Sequence, residues 1–326
     1  MKILIVKNGA LGDVLRMSYF PRPLQNSLSN SRITWLTREN AKEILLNNPY
    51  IFSLKTNIEE IKHEYFDIIY SFDDEFDIVK NISSLKNGKI VGAYFDGAKI
   101  SYTDDTSDWF DMGLLSKYGK TYADILKKNN TKTYGEIFSG IMGVVNPDPQ
   151  SYFILDAPYH ASLDLHDTVK IGINPYAGER WPSKTLLHNE LILLIDKILA
   201  FAPDVHLYLF GMDGDYHKNK KIMQEFNSMR LHIVNSNGSL NEFAANVSRL
   251  DVMISSDSLG MHMAIAHEIP FIAFFTSTSA AEIDDYGFGK KIKSTALDYC
   301  SYIKDADNSS ITAERIFNEL TSLKIF

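Results

Sequence analysis

The stretch LDVMISSDSLGMHMAIAHEIPFIAFFTSTS, residues 250–279, carries the strongest signal for the fold of this chain. It predicts a buried strand over residues 252–254, a polar turn over 255–260 and a helix that begins near Met261. A second apolar strand, Phe271–Phe275, ends in four hydroxyl-bearing residues. Parallel strands with such ends place backbone N–H groups and a helix N-terminus at the sheet edge where α/β proteins bind phosphate. The segment therefore predicts that the second half of the chain binds a phosphate-bearing ligand.

Length and composition indicate an ordinary globular protein. The 326 residues suffice for about two domains, and 45% hydrophobic with 23% charged residues is typical of a soluble chain. We expect a cytoplasmic location, because the N-terminus lacks a signal-peptide pattern and the single cysteine, Cys300, excludes an intramolecular disulfide. The net charge of -8 without a long basic block disfavours nucleic-acid binding.

Strands and helices alternate in both halves, which predicts two parallel α/β sheets. We expect a first domain over residues 1–150 and a second over 168–310, joined by the proline-containing stretch 144–167. A ligand cleft is expected between the two domains. The last segment, 311–326, is predicted to form a helix that packs back on the first domain. The other predicted strands are residues 2–6, 33–36, 66–70, 90–94, 169–173, 205–210 and 231–233.

Asp13 follows the glycine-containing loop after the first predicted strand. A carboxylate at this edge suits a general base for an acceptor hydroxyl, and the alternative is a first-turn acid that interacts with the helix dipole. The loop lacks the dinucleotide fingerprint G-x-G-x-x-G, since Leu11 stands where a glycine is required. A nicotinamide-dependent enzyme is therefore disfavoured.

Two further sets of candidate residues lie in the second half. Lys184 ends the loop INPYAGERWPSK and could meet a diphosphate, the alternative being a solvated lysine. Ser258 and the amides after it could hold phosphate oxygens, with His262 facing them. The alternatives are an N-cap for Asp257 and a hydrogen-bonded buried imidazole for His262.

No metal site is predicted. Asp73, Asp74 and Glu75 follow a predicted strand and could suggest a divalent cation, but a solvated acidic loop is the preferred interpretation. His160 and His166 lie in the proposed linker without a convincing third ligand.

Three segments, in this order, resemble the glycosyltransferase family of the ADP-heptose:lipopolysaccharide heptosyltransferases, known as glycosyltransferase family 9. They are KILIVKNGALGDVL at 2–15, INPYAGERWPSK at 173–184 and ISSDSLGMHMAIAHEIPFIAFFTSTSAAEIDDYG at 254–287. The resemblance covers nearly the whole chain. It implies a GT-B fold of two Rossmann-like domains, with the acceptor bound mainly by the first and the nucleotide-sugar by the second. It also implies inverting transfer without a metal or another cofactor.

The resemblance assigns roles to individual residues. Asp13 becomes the general base, and Lys184 with the amides of residues 258–262 stabilises the departing diphosphate. Asp213 corresponds to the region that holds the ribose, and Gly238 to the region near the base. The full donor-binding set is Asn174, Pro175, Lys184, Asp213, Gly238, Asp257, Ser258, Leu259, Gly260 and His262, and the acceptor-binding set is Gly12, Arg16 and Lys120.

The chain departs from the family pattern at four places. Arg16 replaces a histidine, Lys184 is not followed by the usual tryptophan and proline, and Ser71 replaces a strand-end acid. Leu259 stands where the family has glycine, and Gly260 comes one place later. By the resemblance, most of these positions lie near substrates, so the identities of donor and acceptor stay open.

The favoured interpretation is a heptosyltransferase that moves a sugar from a nucleoside diphosphate, with ADP-heptose preferred, to a lipopolysaccharide or another cell-surface glycan. A glycolipid acceptor would bring the enzyme to the cytoplasmic face of the inner membrane as a peripheral protein. The alternatives are a different donor, a sugar epimerase on the same fold, and a nucleotide-sugar-binding protein without catalysis.

Overall fold

The computed structural model describes residues 1–153, 163, 168–178, 180–234 and 238–325. They divide into two compact units, Met1–Tyr152 and Phe153–Phe326, and each unit contains one six-stranded sheet. Much of the predicted linker lies outside the described residues, as do His160 and His166.

The sheet of the first unit has five parallel strands and one antiparallel edge strand, in the order β3-β2-β1-β4-β5-β6. All four residues Ile3, Leu4, Ile5 and Val6 of the central strand are fully buried, as expected for a parallel strand that is covered on both faces. The strands are β1 Lys2–Val6, β2 Arg32–Leu36, β3 Ser53–Lys55, β4 Tyr65–Ser71, β5 Lys86–Phe95 and β6 Ile100–Tyr102.

Seven helices surround this sheet. Tyr134–Met142 has a full capping box, in which the Thr133 side chain accepts from the Glu136 amide and the Glu136 carboxylate accepts from the Thr133 amide. The helices are α1 Leu11–Met17, α2 Pro21–Ser27, α3 Lys42–Leu45, α4 Phe76–Ser83, α5 Ser107–Phe110, α6 Lys120–Asn129 and α7 Tyr134–Met142.

The sheet of the second unit is entirely parallel, in the order β12-β11-β10-β7-β8-β9. The strands are β7 Val169–Asn174, β8 Val205–Leu209, β9 Leu231–Ile233, β10 Val252–Ser256, β11 Phe271–Phe275 and β12 Gly289–Lys293, and the helices are α8 His188–Phe201, α9 Tyr216–Glu225, α10 Leu240–Val247, α11 Leu259–Ala266 and α12 Ala313–Ser322.

The segment that opened the sequence analysis forms the centre of this second sheet. Strand β10 lies between β7 and β11, with Ser255 opposite Asn174 and Ser256 opposite Phe274. Helix α11 is apolar on all sides, and all but its first residue are buried. The carboxyl ends of three adjacent strands therefore meet at one edge.

The C-terminal helix α12 packs within the second unit. Its buried residues Ala313, Ile316 and Leu320 belong to the core of that unit, together with Leu194 and Ile198 of α8. Helix α8 thus packs against the apolar face of α12.

Three predicted strands match the structure residue for residue, and they are Lys2–Val6, Phe271–Phe275 and the short edge strand Leu231–Ile233. The edge strands β3, β6 and β12 were not predicted, because each contains a single aliphatic residue and so no apolar run. Within the described part of the chain, no helix combines the length and the apolar character that crossing a bilayer requires.

Candidate active site

A buried ion pair lies at the carboxyl edge of the second sheet. Lys184 ends a short 3-10 turn, Pro182–Lys184, and its Nζ lies 2.7 Å from Oδ2 of Asp257, which follows β10. The Thr278 hydroxyl, which comes after β11, donates to the same carboxylate oxygen. The lysine side chain is 11% exposed and the aspartate side chain 8%. Lys184 is therefore not a solvated lysine, and three segments of the chain meet at one carboxylate.

Asp257 keeps its negative charge in this setting. Burial would raise the pKa of its carboxyl group, but the Lys184 ammonium, the nearby His262 and the donated hydrogen bonds outweigh burial and lower that pKa to about 2. The N-cap position of α11 belongs to Ser258 rather than to Asp257. The Asp257 side chain thus holds the lysine and does not cap the helix.

Hydroxyl groups connect this edge across the strands. Asn174 Nδ2 donates to Ser258 Oγ at 2.9 Å and to Ser255 Oγ at 3.3 Å, and Ser256 Oγ donates to the Tyr176 carbonyl at 2.6 Å. These bonds fix the turn that leads into α11. The first amides of that helix have no carbonyl partner within it, so they are available donors at the same edge.

A second hydroxyl set fixes the turn that carries Lys184. Ser183 Oγ lies 2.7 Å from Ser277 Oγ, and Thr276 Oγ1 donates to the Ser183 carbonyl at 3.0 Å. The hydroxyls of residues 276–279 are evident in the sequence, but their partner Ser183 was not predicted. That pairing depends on how the loop after β7 folds over β11, which no local pattern shows.

Gly260 explains the displaced glycine of this chain. A Cβ atom at Gly260 would lie 2.6 Å from Asn174 Nδ2 and 2.9 Å from Ser255 Oγ, closer than real contacts allow. The close approach of Asn174 therefore requires glycine at this position. Leu259 is partly exposed, and no such approach restricts it.

The remaining donor-set residues take different places. Pro175 is buried in the loop after β7, and His262 is buried in α11. Gly238 is exposed, has a left-handed φ of 74° and precedes Ser239, which caps α10. Asp213 begins a 3-10 turn after β8, and its side chain lies outside the described atoms.

Asp13 lies in the first unit, in the first turn of α1. Its Oδ1 is 2.8 Å from Arg16 Nη2, and its Oδ2 is 4.0 Å from Lys7 Nζ. The Arg16 guanidinium stacks over the Tyr134 ring, 3.8 Å from its centroid, and lies 5.6 Å from that of Trp109. The carboxylate is 32% exposed, so it is oriented by two cations and still reaches solvent.

The other two residues of the acceptor set differ in position. Gly12 is buried in the same turn as Asp13. Lys120 is exposed at the first residue of α6, on a surface described below. The structure therefore places Arg16 and Gly12 beside Asp13, and Lys120 on another helix.

The acidic run after β4 is not the solvated loop that we predicted. Asp73 is 3% exposed, accepts a hydrogen bond from the Asn8 amide at 2.6 Å and lies 3.6 Å from Lys7 Nζ. Burial raises the pKa of its carboxyl group, against the opposing effect of Lys7. Only Asp74 and Glu75 are exposed as expected. Among the residues with described positions, no three His, Cys, Asp or Glu side chains form a metal-binding group.

Comparison with known proteins identifies the family. The sequence model of glycosyltransferase family 9 (heptosyltransferase) matches residues 73–307, which is more than two thirds of the chain. The chain belongs to glycosyltransferase family 9. This family 9 protein is therefore a glycosyltransferase, which decides against the epimerase and the non-catalytic binding protein considered above.

Individual relatives are distant in sequence. A Haemophilus influenzae protein provisionally assigned as a glycosyltransferase is 22% identical over 304 residues, covering 86% of this chain and 84% of its own. The E. coli ADP-heptose lps heptosyltransferase II superposes with a TM-score of 0.66 at 15% identity, covering 99% and 98% of the two chains. The family 9 glycosyl transferase of Veillonella parvula reaches 0.74 at 15% identity, covering 99% and 96%. These structures show that the family 9 chain has the GT-B fold.

The close contact between Asn174 and Gly260 gives a direct test of the second-unit edge. Gly260→Ala should weaken the binding of a nucleoside diphosphate at least tenfold, because the added methyl group displaces Asn174 and, with it, the turn into α11. Gly178→Ala is the matched control, since a Cβ there would meet nothing within 4 Å. Isothermal titration calorimetry with ADP and UDP measures the Kd of both variants and of the wild type. Equal affinities for Gly260→Ala and wild type would contradict this interpretation.

Proposed function

We propose that this protein is an inverting glycosyltransferase, and that it moves a heptose from ADP-heptose to a lipopolysaccharide or another cell-surface glycan. The observation that carries the proposal is the Lys184–Asp257 pair beside the α11 N-terminus. It places a fixed cation and free backbone donors at one sheet edge, as a leaving diphosphate requires. The heptosyl donor is supported by the family match and by the related ADP-heptose enzyme of E. coli.

The proposed reaction divides its chemistry between the units. Asp13 accepts the proton of an acceptor hydroxyl, whose oxygen then attacks the anomeric carbon of the donor. The bond from that carbon to the diphosphate oxygen breaks, with inversion. The negative charge that develops on the leaving nucleoside diphosphate is stabilised by the Lys184 ammonium and by the first amides of α11. Proton transfer and charge stabilisation need no metal or other cofactor in this scheme.

The geometry also limits what each group can do. Asp257 is occupied by Lys184 and Thr278, so it positions the cation rather than the ligand. Asn174 Nδ2 donates to Ser258 Oγ, and this hydrogen bond fixes the turn that leads into α11. We propose that Asp213 and Gly238, which follow β8 and β9, meet the ribose and the base.

On the acceptor side, Arg16 has a definite role in the proposal. Its bond to Asp13 and its stack on Tyr134 fix the base, and its charge favours an anionic acceptor. Lys120 would meet a more distant part of a long acceptor. A phosphorylated glycolipid satisfies both requirements.

Replacing the proposed base tests the chemistry. Asp13→Asn should lower kcat by about 10²-fold to 10⁴-fold, because proton transfer is lost while the side chain keeps its size. Donor affinity should stay unchanged. Stopped-time transfer assays with ADP-heptose and a heptose-free lipopolysaccharide acceptor measure kcat, and titration with ADP measures binding. Near-wild-type turnover would sink the assignment of Asp13.

Donor class and the role of Lys184 can be tested together by thermal shift. Among ADP-, UDP-, GDP- and dTDP-sugars, ADP-heptose should raise the Tm most, since a ligand that binds only the folded state stabilises it by about 2.7 kcal/mol at 100 times its Kd. Lys184→Ala should abolish the shift, whereas Lys184→Arg should keep part of it. The exposed Lys304→Ala is the control. A larger Tm shift with another nucleotide-sugar would contradict ADP-heptose as the donor. An unchanged shift in Lys184→Ala would contradict the role of Lys184 in donor binding.

We also propose peripheral contact with the cytoplasmic face of the inner membrane. A surface on and before α6, the Tyr-Lys surface, exposes Leu114, Tyr118, Tyr122 and Ile125 by 47–54% of their areas. Three exposed lysines lie among them, although the whole chain has a net charge of -8. Aromatic and aliphatic side chains with lysines suit an anionic bilayer. The lysines are Lys117, Lys120 and Lys128.

Vesicle sedimentation tests this contact. The protein should bind phosphatidylcholine vesicles that contain phosphatidylglycerol, and should bind pure phosphatidylcholine much less, because each lysine near an anionic surface contributes about 1 kcal/mol. The double variant Tyr122→Ser, Ile125→Ser should lose at least tenfold in partitioning, and Leu297→Ser, at a 98% exposed site, should not. Partitioning that ignores either the lipid charge or the double variant would refute the contact.

A further inference from the structure

The first unit contains a buried charge pair that the proposed chemistry does not use. Lys7 follows β1 and Asp73 follows β4, and these strands are neighbours with Val6 opposite Ser71. The Lys7 side chain is 9% exposed and that of Asp73 is 3% exposed. Both groups lie beneath the turn that carries Asp13.

The atoms form a chain of charges. Lys7 Nζ lies 3.6 Å from Asp73 Oδ1 and 4.0 Å from Asp13 Oδ2, so one ammonium is shared by two carboxylates. Its position is fixed from behind, because it donates to the Phe72 carbonyl at 3.2 Å. Asp73 is fixed as well by the Asn8 amide.

Gly9 leaves room for this arrangement. A Cβ atom at Gly9 would lie 2.9 Å from Lys7 Nζ and 3.6 Å from Asp13 Oδ2. Any larger residue at this position would press on the ammonium at the point where it faces Asp13. The glycine of the first loop therefore serves the lysine as well as the turn.

Stability alone is a poor explanation for such a pair. Two charges lose their hydration on burial, and apolar replacements of similar volume are often as stable or more so. Sharing Lys7, however, has a consequence for Asp13. The negative charge of Asp73 offsets part of the positive potential that Lys7 produces at Asp13. Asp13 is therefore oriented by a cation without being fully neutralised by it.

We propose that Lys7 and Asp73 are positioning residues for the reaction, with Lys7 orienting the Asp13 carboxylate and Asp73 limiting how strongly that cation neutralises it. This inference rests on the proposed role of Asp13 as the general base. Asp13 faces Lys7 from the end of β1 and Arg16 from its own helix, while Asp73 faces Lys7, the Asn8 amide, Asp74 and Glu75.

Two substitutions should move the pH profile in opposite directions. In Asp73→Asn the Lys7 charge acts on Asp13 alone and lowers the pKa of that carboxyl group, which becomes a weaker base. The acid limb of the kcat/KM profile should therefore move to lower pH, and its plateau should fall. Lys7→Met removes a cation from Asp13, so the acid limb should move to higher pH. A pair that only stabilised the fold, without acting on the charge of Asp13, would leave the acid limb where it is in the wild type.

The kinetic constants add a second measurement. Both variants should lower kcat by about tenfold to 100-fold, as expected for a misplaced catalytic group, with the donor KM unchanged. Lys7→Arg should recover part of kcat. Lys55→Met, which breaks the exposed pair with Glu60 at 3.0 Å, is the control and should change nothing.

Folding is separated from chemistry by a third variant. Lys7→Met leaves Asp73 buried without its cation, so the double variant Lys7→Met, Asp73→Leu removes both charges together. It should unfold at a Tm near that of the wild type and retain the low kcat. Wild-type kcat in this folded double variant would overturn the proposal, as would shifts of the same sign in the two single variants.

The Asp13→Asn background distinguishes this inference from the proposed function. If Asp73 acts through Asp13, adding Asp73→Asn to Asp13→Asn should cause no further loss of kcat. An equal additional loss would overturn the positioning role and leave the base assignment intact. Near-wild-type turnover of Asp13→Asn alone would instead overturn the proposed function, and with it this inference.

Discussion

The contact on which the second unit's candidate site depends is the buried ion pair between Lys184 and Asp257. Each group loses hydration when it is buried, and only the 2.7 Å contact with further hydrogen bonds compensates for that loss. Neither partner can move away without leaving the other charge buried and unpaired. The loop after β7, the turn after β10 and the hydroxyls after β11 are therefore held together beside the N-terminus of α11.

The first unit also contains a buried lysine beside carboxylates, but its ion-pair distances are longer. Lys7 approaches two carboxylates at 3.6 and 4.0 Å instead of one at 2.7 Å. In the proposed reaction, a closed pair suits a cation that stays in place while a diphosphate departs. In the same proposal, a shared cation suits a carboxylate that keeps enough basicity to accept a proton. In both units the charges follow central parallel strands, because the carboxyl ends of those strands meet at one edge.

Much of the fold could be predicted, since buried parallel strands are continuous apolar runs in the sequence. Strand β11 and helix α11 are examples, for all their residues except Leu259 are buried. The edge strands β3, β6 and β12 were not predicted, because each contains a single aliphatic residue and so no apolar run. The apolar face of α12 is evident in the sequence, but its packing partner α8 is not.

Local pattern and motif order were enough to predict the two α/β sheets, the family resemblance, and the candidate residues Asp13, Lys184 and Asp257. Which charges pair depends on how distant segments of the chain fold together. Strand pairing buries Asp73 beneath Lys7 although its neighbours in the acidic run are exposed, and the approach of Asn174 makes Gly260 the required glycine. Both outcomes depend on contacts between residues at least 65 positions apart in the chain. A local sequence pattern does not show that residues so far apart in the chain come together in space.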